Sequence, residues 1–198
     1  KIKSDQVIEP KNFNKFISNL KGKKIIIDKN TCSIFFENIL KKKFKILSIV
    51  DPIYSLKSLK NKTEIKNMLN AHIFDGVALT KFIYWIKNIN KKTITEFDAQ
   101  NKLENFRKRN KSYLYPSFNT IAGAGGNGAI VHYRATKINT KKINKKDIFL
   151  CDSGGQYKYG TTDVTRTICF SKPKKNIKNI FTRVLNCLLY TSDAADEE

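Results

Sequence analysis

A mixed α/β (α+β) fold follows from three features of this 198-residue sequence. The first 54 residues alternate short helical and strand signals. Two stretches between Asn61 and Asn110 carry apolar residues at helical spacing behind capping-type starts. After Lys111 the character changes to β-rich runs separated by glycine and polar turns. Apolar residues make up 40% of the chain, enough for a core, and the length holds one ordinary domain or one domain with part of another.

Along residues 1–54, "PKNFNKFISNL" places Phe13, Phe16, Ile17 and Leu20 on one helical face, and "KKIIIDKN" is a compact strand. "CSIFFENILKKKF" is helical again and "KILSIV" is a second strand, so this region is the β-α-β-like end of a domain. "DPIYSLKSLKNK" follows as a connector in which Pro52 opposes helix. A long helix starts at Asn61, which with Glu64 makes a capping box. Its expected apolar face runs through Ile65, Met68, Leu69, His72, Ile73, Gly76, Leu79, Phe82, Ile83 and Ile86. A second helix opens in "TITEFDAQNKLENFRKRN", where Thr93 and Glu96 repeat the capping signature, and the two should pack as a hairpin.

"YPSFNTIAGAGGNGAIVHY" reads as strand, glycine-rich turn and strand, with Asn127-Gly128 as the tight turn. No Lys-Ser or Lys-Thr follows the glycines, which excludes a phosphate loop. "DIFLCDSGG" and "TTDVTRTICF" form a second ribbon, and "KPKKNIKNIFTRVLN" begins another helix. The opening "KIKSDQVIEP" has neither Met nor an apolar leader, which gives the expectation of an internal fragment. The last twelve residues, "CLLYTSDAADEE", lack Lys and Arg and resemble the translation of an adapter used in sequencing libraries. Residues 187–198 are therefore expected to be a non-native tail.

The formal charge is +21, but the excess is mostly Lys, spread along the chain with many Asn and Ile. That pattern fits an A- and T-rich coding sequence better than a nucleic-acid footprint, which salt-dependent retention on DNA would reveal. No run is long and apolar enough for a membrane span. Cys32, Cys151, Cys169 and Cys187 show no zinc-like spacing, so free thiols in a reducing compartment are expected.

Two aspartates stand inside the second ribbon. Asp152 shares a strand face with Ile148 and Leu150, and Asp163 shares one with Thr165 and Thr167. If the ribbon closes near Tyr157-Lys158, the two carboxylates lie opposite each other and repel unless a divalent cation joins them. The same spacing also allows each to cap a turn or to pair with Arg134 or Arg166. His132 follows the glycine-rich turn in the same sheet region, whereas His72 reads as a structural residue on its helix face.

These residues carry a resemblance to the aminopeptidase P family, the Xaa-Pro aminopeptidases among the "pita-bread" metallopeptidases. "YPSFNTIAGAGGNGAIVHYRAT" resembles the family's segment before its first metal ligand, and "LCDSGGQYKYGTTDVTRTICF" is similar to its two-aspartate motif. "NKTEIKNMLNAHIFDGVAL" resembles the helix that opens the catalytic domain. The likeness covers about residues 50–186, and "GTTDVTRT" favours the long, three-domain form over prolidase or methionine aminopeptidase, which share only the spacing of the aspartates.

The resemblance implies residues 1–54 as the end of a creatinase-N-like middle domain. Residues 55–186 are then the first half of a pita-bread catalytic domain, two helices covering a strongly curved antiparallel sheet. It implies two divalent ions, given as Mn²⁺, with Asp152 a ligand of one and Asp163 bridging both. The remaining ligands, a histidine and two glutamates, would follow residue 186. His132 matches the catalytic histidine beside the scissile bond, and Thr165 is the expected partner orienting Asp163. Asn119 departs from the proline common at its position, which touches the strand entry only. The implied activity is cytoplasmic hydrolysis of the first bond of peptides with proline second, with a homodimer left open and the 198-residue chain inactive. The alternative is a metal-free pita-bread binding or scaffold module, which the downstream histidine and glutamates would distinguish.

Overall fold

The computed structural model describes Lys3 and residues 7–89 and 94–195, with side chains to residue 191. The chain divides into two compact units between Lys60 and Asn61. In the first, α1 (Phe13–Asn19), β1 (Lys24–Ile27), α2 (Ile34–Lys41), β2 (Lys45–Ser48) and α3 (Pro52–Ser58) follow in order. β1 and β2 are parallel, with Ile25 beside Ile46 and α2 as the crossover between them. Ile17, Leu40 and Phe44 form its small core.

Residues 51–62 are not simply a connector, because Pro52 begins a helix. Proline restricts Asp51, outside the helix, to extended backbone, while its own fixed φ suits the first helical position. The Asp51 carboxylate accepts from the Ile53 amide at 2.9 Å and completes the cap.

The second unit opens with α4 (Lys62–Asn88), started by the expected reciprocal capping box of Asn61 and Glu64. α5 (Glu96–Arg107) follows, but its cap is Thr95, paired with Asp98. Thr93 lies outside the described residues, and Glu96 is not the reciprocal partner of the cap. The buried face of α4 also differs from the expected one. Leu79, Phe82 and Ile86 are buried, but before Leu79 the helix buries Ala71, Asp75 and Ala78 and leaves Ile65, Leu69, His72 and Ile73 exposed. Small residues let the sheet approach there, and the larger apolar stripe beside them faces outward.

Six strands make two antiparallel sheets. One has the order β4 (Ile121–Ala124), β5 (Ile148–Ser153), β8 (Val164–Cys169); the other has β3 (Tyr113–Pro116), β6 (Gly155–Tyr157), β7 (Gly160–Thr161). Phe82 and Ile86 of α4, Leu103 of α5, and Ala122, Phe149, Cys151 and Ile168 of the strands form one core. α6 (Lys175–Ala195) closes the described chain. Among the described residues no helix is long and apolar enough to cross a membrane.

The glycine-rich segment is not a hairpin. Gly125–Ala129 form a 3₁₀ turn, and Val131-His132 lie in a second turn instead of a strand. Positive φ falls on Gly125 (60°) and His132 (55°), not on Asn127-Gly128. The glycines serve close approach: a Cβ on Gly123 would lie 2.7 Å from the Gly128 backbone.

Candidate metal centre

The strand period places Phe149, Cys151 and Ser153 in the core and turns Ile148, Leu150 and Asp152 to the other side, as the alternation predicts. The ribbon closes at Lys158-Tyr159, between Tyr157 and its partner Gly160, one position later than expected. One register runs from this tip through both sheets, pairing Ser153 with Val164 and Asp152 with Thr165. Moving the tip by one residue moves the pairing by two, so Asp163 comes level with Gly154 instead of Asp152. Continued across Thr162-Asp163, which lie between β7 and β8, this register would put the two carboxylates on one face in a diagonal relationship that spans about 7–8 Å.

Thr165 donates its hydroxyl hydrogen bond to Asp152 Oδ1 at 2.7 Å. The carboxylate it orients is therefore that of Asp152, not Asp163. Asp152 is half-buried and Asp163 exposed. Neither forms an ion pair with Arg134 or Arg166 among the described residues; Arg166 instead donates to the Thr165 carbonyl oxygen at 2.8 Å. Two accessible carboxylates on one sheet face are a hard-oxygen donor set suited to divalent cations. No group of three or more His, Cys, Asp and Glu that could hold a metal occurs among the described residues. Asp152 and Asp163 thus fit part of a coordination sphere.

Below this face lies a buried polar cluster that periodicity did not reveal. Arg107 Nε meets Asp75 Oδ1 at 2.6 Å, and its Nη2 reaches Asp75 Oδ2 and Ser153 Oγ, each at 3.0 Å. Tyr157 donates to Asp75 Oδ1 at 2.9 Å. Burial works to lower the Arg107 pKa, but the hydrogen bond and charge of Asp75 leave it raised. This cluster braces β5 through Ser153, the residue after Asp152. Burial pushes the Cys151 thiol up to about 12, against a hydrogen bond with Ser153, so this cysteine is held neutral. All four cysteines are free.

A second cluster surrounds Glu96, which is fully buried. Its carboxylate accepts from the Ala124 amide (2.7 Å), the Asn127 side chain (3.0 Å), the Tyr133 hydroxyl (2.7 Å) and the Lys141 amide (2.8 Å). Burial, then the bond to Glu96, pushes the Tyr133 hydroxyl up to about 12, so it remains a donor. His132 is exposed and holds a left-handed conformation that costs a non-glycine residue about 1–2 kcal/mol.

Residues 66–197 match metallopeptidase family M24. The chain belongs to that family. Within M24 it is 43% identical over 155 residues to an Xaa-Pro aminopeptidase of Drosophila melanogaster, covering 77% of this chain and 25% of that protein. It is 42% identical over 148 residues to a probable Xaa-Pro aminopeptidase P of Paracoccidioides brasiliensis, covering 73% and 24%. The chain thus spans about a quarter of the length of these curated relatives.

The fold of this M24 chain matches a Caenorhabditis elegans X-prolyl aminopeptidase, described as a cytosolic enzyme with a di-nuclear active site. The TM-score is 0.61 at 29% identity, over 70% of this chain and 23% of that one. A prolidase from Pyrococcus horikoshii matches with a TM-score of 0.72 at 28% identity, over 88% of this chain and 49% of that one. The mixed α/β architecture is that of part of a pita-bread M24 enzyme.

Proposed function

We propose that this chain is the first half of the catalytic domain of a dinuclear Xaa-Pro aminopeptidase, preceded over residues 1–54 by the end of a middle domain. The observation that supports the reading is the pairing of Asp152 with Thr165, two residues from Asp163, in a chain 43% identical over 155 residues to an Xaa-Pro aminopeptidase. Asp152 and Asp163 would hold a pair of divalent ions, Mn²⁺ by preference. When bound, such a pair supplies a water of lowered pKa and Lewis-acid contact to a carbonyl oxygen.

The residues of this chain do the rest of the work assigned to it. Asp163 would be the carboxylate shared by the two ions and Asp152 a ligand of one of them. The Thr165 hydroxyl fixes the rotamer of Asp152 and leaves its second oxygen for a ligand role. His132 contacts the substrate beside the scissile bond. The substrates are peptides with proline in position two, the compartment is the cytoplasm, and a homodimer is compatible with the reading. A histidine and two glutamates from native sequence beyond Asn186 complete the ligand set. The 198 residues are inactive by themselves, and residues 187–198 are not native.

The test is to recover the native reading frame beyond Asn186 and assay Xaa-Pro peptide cleavage with added Mn²⁺. Cleavage that disappears, with metal stoichiometry reduced, in Asp163→Asn supports the reading. Native sequence without the histidine and glutamates, and no cleavage, replaces it with a metal-free pita-bread binding module. Cleavage by the 198-residue chain alone, above a metal-only blank, would overturn the claim that it is inactive.

A further inference from the structure

Glu96 and His132 sit on different elements, yet the hydrogen bonds between them form a closed circuit. His132 is the third residue of a turn from Ile130 to Tyr133, closed by the Tyr133 amide donating to the Ile130 carbonyl oxygen at 3.1 Å. Positive φ at that position is the mark of a turn that ordinarily takes Gly or Asn. His132 takes this conformation at a cost, which points to a use for its side chain.

Both ends of this loop terminate on one carboxylate. At the near end, the Asn127 side chain donates to Glu96 Oε1 at 3.0 Å, and the Ile130 amide returns to the Asn127 carbonyl oxygen at 3.2 Å. At the far end, Tyr133 is buried and donates to Glu96 Oε2 at 2.7 Å, while Asn127 also donates to the Tyr133 hydroxyl at 3.0 Å. Lys141 ties the continuing chain to the same oxygen at 2.8 Å, and Ala124 ties β4 to Oε1 at 2.7 Å. Four of these bonds end on the first residue of α5, whose helix is packed into the core through Ala99 and Leu103. The exposed Val131 and His132 lie between these tied ends.

We propose that Glu96 is a positioning residue: from beneath the loop it holds His132 in its left-handed conformation and so aims the imidazole. Only the use of that imidazole rests on the peptidase reading; the conformational claim stands on the circuit itself. Glu96 does not touch substrate. It acts through Asn127 and Tyr133.

The first test is NMR on the 198-residue chain without metal or substrate, comparing Tyr133→Phe and Glu96→Gln with the unaltered protein. Tyr133→Phe keeps the buried ring and removes one donor, so it remains informative where Glu96→Gln fails to fold. The expected result is loss of the positive-φ signature in the His132 Cα and Cβ shifts. Exchange of the Tyr133 amide should accelerate about tenfold or more, with core amides such as Phe82 and Phe149 little changed. Unchanged His132 shifts, or equal acceleration at His132 and the core, would overturn the proposal.

The second test uses the longer protein with an Xaa-Pro peptide. Glu96→Gln should lower kcat about tenfold in the unaltered background and hardly at all in His132→Ala, because residues acting through one another are not additive. Equal losses in both backgrounds would overturn the coupling. A longer protein that cleaves no Xaa-Pro peptide would overturn the peptidase reading, and the NMR result would still decide the role of Glu96.

Discussion

Thr165 and Asp152 face each other across β5 and β8, and the threonine hydroxyl donates to Asp152 Oδ1 at 2.7 Å. Thr165 is itself exposed, so its contribution is to orientation more than to burial. In a protein that carries the full proposed ligand set, Thr165→Val should weaken binding of added Mn²⁺ by roughly 10–100-fold, as expected for loss of a group that orients a ligand. Thr165→Ser should restore most of it. Isothermal titration of both variants checks this, and unaltered affinity in Thr165→Val would remove the role.

Asp75 and Arg107 form an ion pair with essentially no solvent contact. Removing one partner strands the other charge, so Asp75→Asn should cost about 3–5 kcal/mol in urea unfolding. Replacing both, as in Asp75→Leu with Arg107→Met, should cost less than either single change. A double variant as unstable as the sum of the singles would contradict a pair acting as one unit.

Stability should fall in alkali. The Cys151 thiol titrates near 9.0 when unperturbed and is pushed up to about 12 in the fold; Tyr133 moves from 10.0 to about 12. Raised acids keep their protons in the folded state while the unfolded chain loses them. Their contribution is therefore full below pH 9 and is lost as pH climbs toward 12, at up to about 1.4 kcal/mol per pH unit for each group. Urea midpoints in reducing buffer between pH about 8 and about 10.5 should decline, and Cys151→Ala should flatten the first part of the slope.

Gly154 joins β5 to β6, and a Cβ there would lie 2.0 Å from the Thr162 carbonyl oxygen and 2.2 Å from Ser117 Oγ. Both neighbours are held, since Ser117 Oγ donates to that same carbonyl oxygen at 2.9 Å. Gly154→Ala should destabilise by at least about 1–3 kcal/mol, measured by thermal or urea unfolding. A change smaller than this would mean that the crossing between the sheets relaxes more easily than its contacts indicate.

Local chemistry made much of this legible in advance. The Asn61–Glu64 cap and the strand alternation around Asp152 are written in adjacent letters, and both stand in the structure. What escaped depends on distant partners. Asp75 escapes a reading of local spacing because its partner, Arg107, is 32 residues away. Glu96 looked like a capping residue, because its acceptor role is visible only when Asn127, Tyr133 and Lys141 converge. The glycine run suggested a hairpin, but tight contact between Gly123 and Gly128 winds it into a 3₁₀ turn. An acid placed among apolar helix positions was the available signal for Asp75, and Arg107 was the basic residue with the matching reach.

The even, two-residue tip at Lys158-Tyr159 imposes a parity rule on the paired strands between the aspartates. Inserting or deleting one residue within a paired strand between either aspartate and the tip, with the tip kept, would turn that carboxylate toward the side occupied by Phe149 and Cys151. Changes of two residues leave both on the outer side and only slide one past the other. The tip itself can therefore vary in length, because added residues are taken up in the loop, whereas an odd change inside either paired strand is opposed by the pleat.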